Sequence, residues 1–327
     1  MKIKEILPGV EENIPLANHT TYKIGGPAKY FFIAKTENQL INALAVARKI
    51  NIPIFILGGG SNVLVSDKGF NGLVVQIKIS HIEIGKSGVI KAGAGVVLNN
   101  LVHLTTNEGL SGLEWAAGIP GITLGGAIYG HAQAFGAKIS DLIEKVLVVD
   151  IKNLEIKELS KEQCKFSLKN SIFKKNKNLV IVSAILKLQK KNVSEIKDKI
   201  KEFLNYRKTN HPLNFPSAGS VFVNPEAKIK NKKLLLEFPE LKEYNDSGVL
   251  RAGYLIAKAG LAGKKIGDAQ ISEKHCNFII NLGGRPGVPS GSHPAEDVLS
   301  LINLIKNKVN KKFGIKLEPE VQFVGFK

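Results

Sequence analysis

An α+β fold in two modules is what this sequence predicts, on three observations. Residues 30–57 read strand, helix, strand and run into a glycine turn. From Ser80 the pattern changes to short strands joined by hairpin turns. A proline-bounded linker, Asn210-His211-Pro212-Leu213-Asn214-Phe215-Pro216, then precedes a further stretch of helices and strands. One module is expected over 1–209, in lobes of about 1–79 and 80–209, and a second over 210–327. A chain of 327 residues with 44% hydrophobic residues can bury a core large enough for two or three domains.

In chain order, a Gly-Gly-Pro turn leads into a strand over 30–33. Thr36-Glu37-Asn38-Gln39 has capping-box spacing and opens an amphipathic helix with Leu40, Leu44 and Ala47 on one face, ending near Asn51. The apolar run 52–57 is a strand, Gly58-Gly59-Gly60 stops it, and a second short strand starts at Val63. After the turn at 68–72 comes a strand over 73–77. Gly85-Lys86-Ser87-Gly88 makes a hairpin turn, and a helix over 98–108 stops at Gly109. Strands are expected over 145–151, 154–159 and 179–188, then a lysine-rich helix from Val193 to about Lys208. Beyond the linker, helices over 251–258 and 298–313 flank a strand over 278–282, and Glu320 opens the last strand. The Gly- and Pro-rich segment 283–294 reads as a surface loop over the substrate.

The net charge of +18 raises a nucleic-acid reading. Its distribution argues otherwise: Arg48, Arg207, Arg251 and Arg285 are the only arginines, and the lysines are spread over many segments. Such a field speeds capture of anionic nucleotides and fades with salt. No window holds eighteen consecutive apolar residues, the N-terminal stretch lacks a signal-peptide apolar core, and a cytosolic protein without membrane contact is expected. Cys164 and Cys276 lie far apart without metal-ligand spacing, so neither a metal nor a disulfide framework is expected.

Two glycine clusters carry the chemistry. Consecutive glycines let main chain approach a ligand with no Cβ in the way and turn peptide N–H groups into an anion-binding nest, which suits a pyrophosphate. Gly58, Gly59 and Gly60 alone make a tight turn; Ser61 and Asn62, able to donate to phosphate oxygens, favour a ligand. Neither the dinucleotide fingerprint nor a Walker loop is present, because no helix opens after the turn. In the second cluster Pro120 fixes one φ, while Gly118, Gly121, Gly125 and Gly126 keep backbone bare where it runs against a flat ring or packs on a sheet.

At these residues the chain resembles a known family. G-G-G-S-N-V-L-V at 58–65 and H-T-T-Y-K-I-G-G-P-A at 19–28 are similar to the UDP-N-acetylenolpyruvoylglucosamine reductases, flavoenzymes of bacterial peptidoglycan precursor synthesis. Further matches are G-L-E-W-A-A-G-I-P-G at 112–121, S-A-G-S-V-F at 217–222, I-S-E-K-H-C-N-F-I-I-N at 271–281 and L-E-P-E-V at 317–321. The resemblance covers nearly the whole chain and is to the family's shorter type, without a tyrosine loop. It implies a two-lobed FAD-binding module of the vanillyl-alcohol-oxidase (PCMH) type plus a C-terminal α+β substrate domain.

The same resemblance implies that NADPH reduces FAD, that flavin N5 delivers hydride to an enolpyruvyl methylene carbon, and that Ser220 protonates the resulting enolate. Product would be UDP-N-acetylmuramate, feeding cell-wall synthesis and through it cell shape and division. FAD would lie on Gly58, Gly59, Gly60, Ser61 and Asn62, and on Gly118, Ile119, Pro120, Gly121, Gly125 and Gly126. Lys169 stands where the family has an arginine that stabilises developing charge, Glu320 matches a carboxylate near the substrate double bond, and Asn224 a substrate-binding position. A UDP-sugar and NADPH are the expected partners of a monomer or weak oligomer. The chain departs from the family pattern at Leu168, Lys169 and Val223, and at His131, which reads as a flavin or substrate contact or, in preference, as a satisfied helix histidine. These departures leave room for a related FAD oxidoreductase acting on another nucleotide sugar, and the charge for a non-catalytic nucleic-acid-binding protein.

Overall fold

The computed structural model describes residues 3–283, 291 and 293–326. Of the loop expected at 283–294, residues 284–290 and 292 lie outside the described residues. The chain forms two compact units, one of residues 1–15, 27–60 and 70–209, the other of residues 16–26, 61–69 and 210–327.

The first unit carries a four-stranded and a five-stranded sheet over one core. Its mixed sheet has the order Glu11–Pro15, Pro27–Ala34, Phe70–Ile77, Ile54–Leu57, the first pair antiparallel and the others parallel. The helix Glu37–Lys49 makes the parallel crossover. Thr36 accepts from the Gln39 N–H at 3.2 Å, while Gln39 Oε1 accepts from the Lys35 N–H at 2.8 Å, one residue upstream of the usual capping box. Leu40, Ala43, Leu44 and Ala47 are buried on the sheet. The second sheet is antiparallel throughout, in the order Ile156–Ser160, Ile143–Asp150, Leu179–Lys187, Val89–Gly93, Ile82–Ile84. A single cluster runs from Leu40 and Val75 in the first lobe to Val146, Phe173 and Val182 in the second, so both lobes close on one hydrophobic core.

The second unit packs Pro294–Phe313 on a three-stranded antiparallel sheet of Lys265–Ile266, Ala269–Ile271 and Ile279–Asn281, and Ala252–Lys258 lies against that helix. Asp67 caps the long helix from outside it, accepting from the Ala295 and Glu296 N–H groups at 3.1 and 3.2 Å. Segments 16–26 and 61–69, expected in the first module, fold here instead. The reason is pairing: Val63–Val65 runs parallel to Gln322–Val324. Gly26 donates to the Ser66 carbonyl at 2.9 Å, and a Cβ on Gly26 would lie 2.1 Å from the Asp67 carbonyl oxygen. The strands either side of Gly58-Gly59-Gly60 therefore belong to different units.

Candidate active site

In the first unit the two glycine clusters are packed on each other. A Cβ added to Gly59 would lie 1.6 Å from the Gly121 carbonyl oxygen, and one on Gly58 would lie 2.8 Å from Thr123 Oγ1. At Gly59 that bareness also serves loop-on-loop packing. Gly118 and Gly121 take φ of 75° and 64°, the left-handed region that glycine enters without Cβ strain. Gly118 N–H is held by Asn99 Oδ1 at 3.2 Å and Ile119 N–H by the Ala116 carbonyl at 3.2 Å, while Pro120 is exposed. Gly125 lets the start of the helix Leu124–Gly130 sit against Ala94, whose Cβ would be 2.8 Å from an added one. Gly126, exposed in that first turn, donates to Thr123 Oγ1 at 3.3 Å.

Among the described residues the N–H groups of Gly58, Gly59 and Ser61 have no hydrogen-bond partner. Half-buried peptide donors left unpaired around a left-handed Gly60 (φ 66°) are a donor set that suits an anion such as a pyrophosphate. These residues fit FAD. Asn62 does something the sequence did not indicate: its Nδ2 donates to the Glu320 carbonyl at 3.3 Å, and its own carbonyl accepts from the Gln322 N–H at 3.1 Å.

Lys169 sits in a two-residue turn closed by mutual Ser167 and Asn170 hydrogen bonds of 3.0 Å. Its φ is 51°, and its carbonyl accepts from Lys174 Nζ at 2.7 Å. His131 ends the helix Leu124–Gly130 in the left-handed region (φ 48°) and is 5% exposed. Its Nδ1 donates to the Ser167 carbonyl and its Nε2 accepts from Ser140 Oγ at 2.9 Å, with Phe166 packed on the ring at 5.0 Å. Both nitrogens are taken within the protein, which is the satisfied-histidine alternative. Burial pushes its pKa down, and the Lys138 and Lys169 ammonium groups push the same way. Arg207, 6% exposed at the end of Val193–Asn210, donates through Nε to the Ala117 carbonyl at 2.9 Å and through a terminal nitrogen to the Trp115 carbonyl at 2.7 Å. It fastens the main chain that leads into Gly118.

In the second unit Ser220 and Glu320 lie on adjacent backbones. The Glu320 N–H donates to the Val221 carbonyl at 2.7 Å, and Phe222 bridges Pro319 in antiparallel fashion. Gly219 has φ of 76° with open space where a Cβ would stand, and the Ser220 hydroxyl has no hydrogen-bond partner among the described residues. Asn224, expected to touch substrate, accepts through Oδ1 from the Ala252 N–H at 3.0 Å and caps the helix Ala252–Lys258. Sequence reading passed over Arg207, Thr21 and Asn277; each fastens main chain beside a site segment, and such contacts leave no local pattern.

A mixed α+β unit with an unpaired-donor glycine turn suits an FAD-binding module, and similarity to known proteins puts the chain among FAD-dependent oxidoreductases. Residues 28–160 match a family profile described as "FAD binding domain", and residues 211–324 match "UDP-N-acetylenolpyruvoylglucosamine reductase, C-terminal domain". The UDP-N-acetylenolpyruvoylglucosamine reductase of Caldanaerobacter subterraneus subsp. tengcongensis is 40% identical over 328 residues, covering 100% of this chain and 98% of that one. That of Caldicellulosiruptor bescii is 40% identical over 315 residues, covering 95% and 89%. A crystal structure of the reductase from Thermus caldophilus superposes with a TM-score of 0.74 at 30% identity, covering 96% of this chain and 98% of that one. The chain belongs to the UDP-N-acetylenolpyruvoylglucosamine reductase family.

Proposed function

We propose that the chain reduces the enolpyruvyl ether of UDP-N-acetylglucosamine to UDP-N-acetylmuramate, with NADPH as reductant and Ser220 as proton donor. FAD, when bound, supplies the hydride. Delivered to the terminal methylene carbon of the substrate, that hydride would leave the alkene electron pair on the carbon bearing the carboxylate. Ser220 Oγ gives its proton to that carbon, and Glu320 relays a proton from solvent back to the serine. Lys169 contributes positive charge toward the carboxylate as negative charge grows on it. Gly58, Gly59, Gly60 and Ser61, with the 118–126 segment, would hold the cofactor through main chain, and Asn62 fastens the 61–69 segment to the Glu320 backbone.

The observation that best supports these roles is Ser220 itself: a hydroxyl with no hydrogen-bond partner among the described residues, beside Glu320 on a neighbouring backbone. A cytosolic workplace accords with Cys164 and Cys276, both buried and free, the Cys164 thiol pushed up to about 12 by burial. No helix among the described residues is long and apolar enough to cross a membrane. The test is in the half-reactions. The purified protein should be yellow, bleach with NADPH and recover colour with the enolpyruvyl sugar nucleotide. Ser220→Ala should keep the NADPH step near normal and slow the substrate step by roughly 10²–10⁴. A defect confined to the NADPH step would remove the proton-donor assignment.

A further inference from the structure

Asn277 is 4% exposed, and its carboxamide addresses one residue. Oδ1 accepts from the Phe222 N–H at 3.0 Å, and Nδ2 donates to the Phe222 carbonyl at 2.9 Å. Its main-chain carbonyl accepts from the Val221 N–H at 2.8 Å. A buried carboxamide is tolerated only when it is paired, and here the pairing acts as a strand neighbour would for two consecutive peptides. On the opposite side the 318–320 segment takes up the Val221 carbonyl and the Val223 N–H at 2.7 and 3.0 Å. Upstream, Thr21 Oγ1 donates to the Ser217 carbonyl at 2.8 Å, and the Asn281 N–H donates to the Pro216 carbonyl at 2.9 Å. Residues 218–220 are therefore a short arch with both ends fastened, and Ser220 stands at the end that Asn277 holds.

We infer that Asn277 is a positioning residue for the reduction, fixing the Val221–Phe222 peptides so that the Ser220 hydroxyl is presented at one place and angle. The inference rests on Ser220 being the proton donor. A proton donor must be held to a fraction of an ångström, and a misplacement of about 1 Å from a change away from the reacting atoms costs on the order of a hundredfold in rate.

Asn277→Asp separates aiming from folding, because it keeps an oxygen for the Phe222 N–H and turns the donor facing the Phe222 carbonyl into a repelling one. In the holoenzyme this variant should keep the flavin spectrum and the NADPH step. Amide exchange at Val221 and Phe222 should quicken, and flavin reoxidation by the enolpyruvyl nucleotide should slow about tenfold to a hundredfold. In a Ser220→Ala background the same substitution should change reoxidation by less than about twofold, since there is no hydroxyl left to aim. Equal slowing in both backgrounds, or normal reoxidation despite faster exchange, overturns the positioning role. If Ser220→Ala alone reoxidises at the normal rate, the proton-donor reading fails instead, and the two failures are told apart. Should Asn277→Asp not fold, Thr21→Val loosens the other end of the arch and must show the same dependence on Ser220; an effect independent of Ser220 again overturns the inference.

Discussion

Lys169 shows how much a single position can combine. Its left-handed backbone (φ 51°) is uncommon for a residue with a Cβ, and glycine would relieve on the order of 1 kcal/mol there. Lys169→Gly should therefore melt no lower than the parent while reoxidising its flavin with substrate far more slowly, about a hundredfold if the ammonium does the work of an electrostatic donor. Lys169→Arg should keep or raise the rate, since the planar fork matches a carboxylate better. Unchanged reoxidation in Lys169→Gly would move the role to another cation. At this scale the short motifs around Ser220 and Glu320 stand out in the sequence, and the structure sets their backbones side by side. What was not legible is that the Asn62 and Asn224 carboxamides hold main chain, at Glu320 and Ala252. Nothing local distinguishes an asparagine that contacts ligand from one that caps a distant segment.

At the scale of elements, the helix Glu37–Lys49 and the antiparallel strands could be read from periodicity and caps to within a few residues. The strand after the glycine turn could not be placed, because the parallel pairing of Val63–Val65 with Gln322–Val324 spans most of the chain and parallel partners share no turn. The packing of Gly59 on Gly121 was equally hidden, and it changes what substitution there means. Gly59→Ala is enough: its methyl cannot share space with the Gly121 carbonyl, so the two loops must part and FAD retention after gel filtration should fall sharply. Stoichiometric FAD in Gly59→Ala would show that the turn is not the cofactor's cradle. Arg207 acts on the same element from the helix Val193–Asn210. Arg207→Met keeps the apolar stem and strands the Trp115 and Ala117 carbonyls, each at a cost of roughly 1–3 kcal/mol. Weaker FAD retention with unaltered secondary structure by circular dichroism is the expected result, and full retention would leave Arg207 a purely structural clamp.

At the scale of the whole molecule, each compact unit contains a histidine whose pKa folding lowers. His131 lies in the first, its pKa lowered chiefly by burial; His275 lies in the second, lowered by the same cause, its Nδ1 accepting from the Asn277 N–H at 3.3 Å and its ring set against His211 and Phe278. The direction follows from proton counting. Through and below the ordinary histidine range, near pH 6.5, the unfolded chain takes up protons at both positions more readily than the folded chain. The contribution of each is therefore fully present above that range and is lost as pH falls toward the folded pKa, with a slope of at most about 1.4 kcal/mol per pH unit per histidine. Carboxylates that titrate at lower pH add their own slope, so the difference between variant and parent carries the information. His131→Asn suits the comparison because asparagine accepts the left-handed cap at φ 48°. Urea midpoints taken from pH 7.5 to 5.5 should decline less steeply in His131→Asn than in the parent, and less steeply again with His275→Asn added. Parallel curves for all three proteins would mean that both imidazoles protonate in place, which the bond from Ser140 to Nε2 and the bond from Asn277 to Nδ1 oppose.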